Sequence, residues 1–262
     1  MHKIRSNTNA KKTRSASPHM IEVKDLFKSF NEIKALNGIS FQVPRGDIFA
    51  FLGPNGAGKS TALKIITTVL RPSSGSIKVN GYDTISQEHQ VRESIGVVFQ
   101  DHTLDKELTA FENLYYHSVL YQVPKRKRKE KIDLLLENIG LWARRHDQVK
   151  YFSGGMKRRV EIIRALLHEP EILILDEPTT GLDAQTRFFL WRHIGNINQE
   201  NQITIFLTTH NLEEAEKVAK NIAIIDQGQI LASGTGEDIM AQTDTHSLER
   251  AFLEITGYEL RY

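Results

Sequence analysis

The chain has 262 residues, no cysteine and a formal net charge of +2 at pH 7. Without cysteine it can hold neither a disulfide nor a thiolate-bound metal, and its balanced charge argues for no particular partner class. No apolar run approaches the ~20 residues of a membrane-spanning helix, so any work at a membrane must pass through a partner.

Residues 1–19 carry Lys3, Arg5, Lys11, Lys12 and Arg14 among Ser, Asn and Thr, with no acidic residue. Lacking an apolar stretch, they do not resemble a secretory signal and read as a disordered basic tail. From Met20 to Val43 apolar and polar residues alternate, as in short antiparallel strands, and Pro44-Arg45-Gly46-Asp47 is a turn. Phe30 is either a packing residue or a flat face on which a base stacks.

Asp47–Leu52 reads as a buried strand, and it runs into Gly53-Pro54-Asn55-Gly56-Ala57-Gly58-Lys59-Ser60-Thr61. This matches the phosphate-binding pattern G-x-x-x-x-G-K-[ST]. Ala62, Leu63, Ile65, Ile66, Val69 and Leu70 then recur at helical spacing, and Arg71-Pro72-Ser73-Ser74-Gly75 is expected to stop the helix. A glycine-rich turn between strand and helix points successive N–H groups at one anion, and the helix dipole adds to their attraction. Lys59 supplies a full charge to the outer phosphates, and Ser60 offers a hydroxyl to Mg²⁺.

Ser76–Gly81 reads as a strand ending in an Asn-Gly turn, and Ile95–Gln100 as a strand that delivers Gln100 where the pattern changes. A helical region is expected from Thr109 to about Ile139, with the basic run Pro124–Lys131 as its solvated part and no aromatic–basic alternation to suggest nucleic acid. Ser153-Gly154-Gly155 opens another helix, which Glu169-Pro170 ends. Ser153 is a good N-cap. Two glycines inside a helix cost roughly 1 kcal/mol each, so their presence suggests that a phosphate approaches the backbone closely. There is no second phosphate-binding loop in the chain, so that phosphate must come from another molecule.

Glu171–Pro178 is an apolar strand ending in Asp176 and Glu177, placed to hold Mg²⁺ and to orient or deprotonate an attacking water, respectively. Thr179–Asp183 is a turn before a further helix. Ile203–Thr209 is a strand delivering His210, while His102, His117, His146 and His193 read as surface or packing residues. Asp226-Gln227-Gly228 marks a hairpin, and the chain from about Glu237 reads as helical.

Taken together, these motifs resemble, in order and over about residues 20–236, the nucleotide-binding domain of ABC (ATP-binding cassette) transporters. Gly53–Thr61 resembles the Walker A motif, Gln100 the Q-loop, Ser153–Gly155 the signature motif and Ile172–Glu177 the Walker B motif with the catalytic glutamate. Gly181-Leu182-Asp183 resembles the D-loop, His210 the switch histidine, and Phe30 stands where an adenine-stacking aromatic is found. The resemblance implies an α/β P-loop NTPase (RecA-like) core with an N-terminal antiparallel β-subdomain, a helical subdomain at about 101–168 and a helical tail at 237–262. It implies ATP and Mg²⁺, with Ser60, Gln100 and Asp176 around the metal and Lys59, Glu177 and His210 in catalysis. Two chains, identical or not, would sandwich ATP between the P-loop of one and Ser153–Gly155 of the other, with Asp183 also at the nucleotide. A separate permease on the inner membrane would be driven from its cytoplasmic face, and no nucleic acid is expected. Phe152 and Met156 depart from the usual L-S-G-G-Q. The form Ser-Gly-Gly-Met-Lys-Arg-Arg and the tail Leu248–Arg261 resemble ABC-2-type exporters of drugs, lipids or polysaccharides. A soluble ABC ATPase acting on ribosomes, nucleic acid or an assembly complex, and an importer ATPase, are the competing readings.

Overall fold

Two sequence patterns produce two sheets. In the computed structural model, residues 17–257 are described; of the tail expected over residues 1–19, residues 1–16 lie outside them and His19 instead opens the first strand, and the last residues of the helical C-terminal stretch also lie outside them. Alternation makes β1 (His19–Phe30) and β2 (Ile33–Pro44), an antiparallel pair with one face buried. The apolar β3 (Ile48–Leu52) runs through the glycine-rich loop into α1 (Lys59–Ile66). β4 (Ser74–Val79) and β5 (Tyr82–Asp83) complete an antiparallel sheet of order β2-β1-β4-β5. Asn80 and Gly81 join them at φ 50° and 77°, as a two-residue hairpin requires.

The chain continues through α2 (Glu88–Ser94), β6 (Ile95–Val98), α3 (Ala110–Leu120), α4 (Lys125–Asn138) and α5 (Gly154–Leu166). Then follow β7 (Ile172–Asp176), α6 (Ala184–Asn201), β8 (Thr204–Thr209), α7 (Leu212–Val218), β9 (Asn221–Asp226), β10 (Gln229–Gly234), α8 (Gly236–Gln242) and α9 (Leu248–Thr256). The second sheet has the order β10-β9-β3-β8-β7-β6 and is parallel except for β10. β7 and β8 are buried at every position, which explains their unbroken apolar runs. This is the expected α/β P-loop architecture with an antiparallel β-subdomain.

Three apolar cores hold these layers. One lies between the antiparallel sheet, α1 and one face of the parallel sheet, and here Phe41 of β2 meets Phe49, Phe51 and Phe206 with ring centroids 5.2–6.0 Å apart. The second covers the opposite face under α5, α6, α7 and the C-terminal helices. The third is confined to residues 104–167, where α3, α4 and the buried side of α5 enclose Leu114, Ile132, Leu136, Phe152 and Ile163. Among the described residues, no helix is long and apolar enough to cross a membrane.

Three helix boundaries differ from the sequence pattern. The helix α1 stops at Ile66, five residues before Arg71. The Thr67 hydroxyl donates to the Leu63 carbonyl (2.9 Å), Thr68 turns left-handed at φ 63°, and the Val69 and Leu70 amides both close onto the Lys64 carbonyl, leaving Val69 exposed. The region Thr109–Ile139 is two helices, because Gln122 adopts φ 55° and Pro124 follows. The C-terminal stretch likewise divides into α8 and α9.

Phe41 is the ring through which the antiparallel sheet grips the parallel one, whereas Phe27 lies on the same subdomain's surface, 38% exposed. Phe41→Ala is expected to destabilise the protein by about 3–5 kcal/mol and Phe27→Ala by less than about 1 kcal/mol, read from urea midpoints. Equal effects of the two would contradict this account of how the sheets are joined.

Candidate functional site

The glycine-rich loop leaves β3 at Gly53, whose amide is bonded to the Thr209 carbonyl at the end of β8 (3.2 Å). It enters α1 through Gly58, at φ 109° and packed so close to the Ala35 carbonyl that a Cβ there would lie 2.6 Å from it. The first intrahelical bond of α1 runs from Ala62 to Gly58, so the amides of Lys59, Ser60 and Thr61 have no intrahelical acceptor. Lys59 is 4% exposed. Its ammonium donates to the carbonyls of Gly53 (2.8 Å) and Pro54 (3.0 Å) and lies 3.4 Å from Glu177 Oε1. Ala57 is buried in the wall of the loop, while Asn55 and Gly56 are exposed on its crest.

The two carboxylates close the other side. Asp176 is the last residue of β7, and its Oδ1 accepts the Thr208 hydroxyl at 2.6 Å. Burial pushes the Asp176 carboxyl above its ordinary pKa, with the neighbouring Glu177 charge acting in the same direction against Thr208 and Lys59. Glu177 follows in the left-handed region at φ 44°, an uncommon conformation for a residue with a side chain. Its amide is fixed by both the carbonyl and the hydroxyl of Thr208 at 3.1 Å. Burial pushes the Glu177 carboxyl up, but hydrogen bonds from His210 and Thr180 and the charge of Lys59 outweigh it, leaving the pKa below the ordinary range. Glu177 is therefore ionised at neutral pH. His210, one residue past β8, is half-exposed, with its Nδ1 at 3.2 Å from Glu177 Oε2.

Thus Lys59, Asp176, Glu177 and His210 meet at one rim of the parallel sheet, as ligand-site residues in such sheets do. The other candidates stand apart from them. Phe30 is 45% exposed at the tip of the β1–β2 hairpin with the Lys28 ammonium 5.0 Å above its ring, so it is not a core residue. Gln100 is exposed just beyond β6, and its carbonyl accepts from Arg158 at 2.7 Å. Ser153 caps α5, its oxygen accepting the Met156 amide at 3.3 Å. Among the described residues, the first turn of α5 makes no hydrogen bond to Gly53–Thr61. The two glycines there differ. A Cβ on Gly155 would lie 2.5 Å from Thr186, so packing within the chain demands glycine, but a Cβ on Gly154 would meet nothing within 4 Å. Asp183 caps α6 through the Thr186 amide (2.9 Å) and hydroxyl (2.7 Å), so it braces the residue that presses on Gly155.

Sequence reasoning passed over Thr208, which ties Asp176 to Glu177. A hydroxyl within a fully buried apolar strand was the available signal, since such groups need partners. It also passed over Arg158 and Glu161, both at most 2% exposed.

A model of the ABC transporter family matches residues 36–180. The daunorubicin resistance ATP-binding protein DrrA3 of Streptomyces coeruleorubidus is 39% identical over 223 residues, which span 85% of this chain and 70% of that protein. This chain belongs to the ABC transporter family. It is an ATP-binding subunit of an ABC transporter, and an ATPase. A solved ATP-binding subunit of an ABC transporter superposes with a TM-score of 0.82 at 32% identity, covering 90% of this chain and 99% of that one. The ATP-binding cassette MJ0796, solved as a dimer in a post-hydrolysis state bound to ADP and Pi, gives 0.75 at 27% identity, covering 82% and 98%.

For this ABC ATPase, the donor set also fits Mg²⁺, a hard ion that takes oxygen ligands. The Ser60 hydroxyl and Asp176 Oδ2 take no hydrogen bond among the described residues, and both belong to the rim defined by Lys59 and Glu177. Because the folded protein binds the Asp176 proton more tightly than the unfolded chain does, the ionised carboxylate costs stability at neutral pH and none below its ordinary pKa. Without nucleotide or metal, Asp176→Asn should raise Tm at pH 7, and the gain should fade as the pH approaches about 4. A Tm at or below that of the wild type at pH 7, or a gain that persists at pH 4, would contradict the assigned burial cost.

Proposed function

We propose that two copies of this subunit, or this chain and a similar one, close head to tail over ATP beneath a separate ABC-2-type permease and power export of a drug, lipid or polysaccharide. The observation that carries the reading is the isolated N-terminus of α5. Ser153 and Gly154 present a capped helix end with open space beside Gly154 and, among the described residues, no hydrogen bond to the Gly53–Thr61 loop. A partner's nucleotide supplies the missing anion. The dimeric state of MJ0796 and the resistance function in the name of DrrA3 support the dimer and the direction, respectively.

In this reading, the amides of Gly53–Thr61 and the Lys59 ammonium hold the triphosphate, and Phe30 stacks on the adenine. Ser60, Gln100 and Asp176 are the residues that would hold Mg²⁺, which when bound neutralises phosphate charge and aligns the outer oxygens. Glu177, ionised and held by Lys59 and His210, orients the attacking water and accepts its proton. His210 would steady the γ-phosphate. Asp183 helps close the partner's site. We assign residues 20–236 to the ATP-binding domain, with a helical subdomain at about 101–168, and 237–262 to a helical tail. The subunit would sit on the cytoplasmic face of the membrane, and movement of the helical subdomain would reach the permease through Gln100. The free energy of transport comes from differential affinity, with ATP favouring the closed pair and ADP plus phosphate the open one.

Glu177→Gln keeps the shape of the site but removes the base. It should bind ATP, lower turnover by about 10²-fold or more, and run as a dimer in gel filtration at saturating ATP–Mg²⁺. A protein that remains monomeric there would contradict the sandwich.

A further inference from the structure

The loop that carries Gln100 leaves the sheet at β6, yet its hydrogen bonds lead to α5. Arg158, Glu161 and Arg164 are spaced at three residues and share one face of that helix. Arg158 donates through Nη1 to the Phe99 carbonyl (2.6 Å) and through Nη2 to the Gln100 carbonyl (2.7 Å). Its Nη1 also lies 3.1 Å from Glu161 Oε2. Glu161 Oε1 accepts the Thr103 amide (2.7 Å), and its Oε2 meets His102 Nδ1 at 3.0 Å. Arg164 donates to the Thr103 carbonyl (3.0 Å) and to the Thr103 hydroxyl. One helix face thus grips both ends of the segment 99–103.

A buried ion pair is a weak source of stability, since apolar side chains of similar volume commonly serve as well. What this pair adds is geometry: the fork of Arg158 spans two successive carbonyls, which a point charge cannot do. Ser153 lies five residues ahead of Arg158, about 7.5 Å along the helix. A displacement of the α5 N-terminus therefore reaches Gln100 through a single rigid element, without passing through the sheet.

We infer that Arg158 and Glu161 are positioning residues that make the Gln100 loop move as one body with the signature helix. The inference rests on the reading of Gln100 given above.

The test is a double-mutant cycle on the full chain, using ATP turnover with Mg²⁺, nucleotide affinity without Mg²⁺, and hydrogen exchange. Arg158→Lys keeps a cation beside Glu161 but loses the fork. It should lower kcat by about 10-fold, with KM for ATP and metal-free affinity for a fluorescent ATP analogue changed less than about twofold. In a Gln100→Ala background the same change should cost less than about twofold, because both act through one group. Exchange should rise in the 99–104 peptide and stay unchanged in α5. An unchanged kcat in Arg158→Lys, or the same fold-loss in both backgrounds, would overturn the inference. If Gln100→Ala alone keeps wild-type kcat, the reading of Gln100 fails instead. Exchange then decides the link: a loosened 99–104 peptide in Arg158→Lys upholds it, and an unchanged one overturns it. Glu161→Gln, of equal shape, serves the same cycle if Arg158→Lys does not fold.

Discussion

The site depends on the parallel register of β3, β8 and β7. Leu52 stands beside Thr209, and Asp176 beside Thr208. That alignment ends three strands at one rim, where the glycine-rich loop, the carboxylate pair and His210 emerge together. Side chains alternate along a strand, so a slip of one residue in β8 would turn Thr208 to the opposite face. Asp176 would lose its buried hydroxyl, and Glu177 would lose the oxygen that fixes its left-handed backbone. Burial pushes the Asp176 carboxyl up, whereas His210, Lys59 and Thr180 hold the Glu177 carboxyl down and ionised; in the proposed reading the first would hold the cation and the second would serve as the base.

The N-terminus of α5, proposed to face a partner's nucleotide, is built differently. The start of α5 is braced from behind by its own chain, where Asp183 holds Thr186 and Thr186 fills the space in front of Gly155. Its outer side, at Ser153 and Gly154, is left clear. Farther along the same helix, the face bearing Arg158, Glu161 and Arg164 takes hold of the Gln100 loop. One helix therefore joins the clear side of Gly154 to the segment that follows β6, and in the proposed reading motion of the helical subdomain would act on both.

Much of this was legible in the sequence because the chemistry is local. The P-loop needs closely spaced glycines followed by lysine and serine, and the carboxylates follow an apolar run that reads as a buried strand. His210 was found the same way, at the end of another such run. The signal failed where the cause was tertiary or was backbone geometry. Val69 and Leu70 continue the helical spacing of α1, but the Thr67 hydroxyl and the left-handed Thr68 end the helix before them. Gly154 and Gly155 look alike in sequence, although a packing contact with Thr186 explains one and nothing in the chain explains the other. Nothing in the sequence marks Arg158 and Glu161 as buried, yet both are, because the loop they hold arrives from some 60 residues upstream.

The central claim is that each working site takes its P-loop from one chain and its signature helix from another. Subunit mixing tests it most directly. Lys59→Ala disables the first element and Gly154→Asp the second, so each variant alone should be nearly inactive. Mixed in equal amounts, half of the pairs contain both variants, and each such pair rebuilds one intact site; turnover should return to about a quarter of the wild-type level. A mixture no more active than the sum of its parts would contradict a site shared between two copies of this chain.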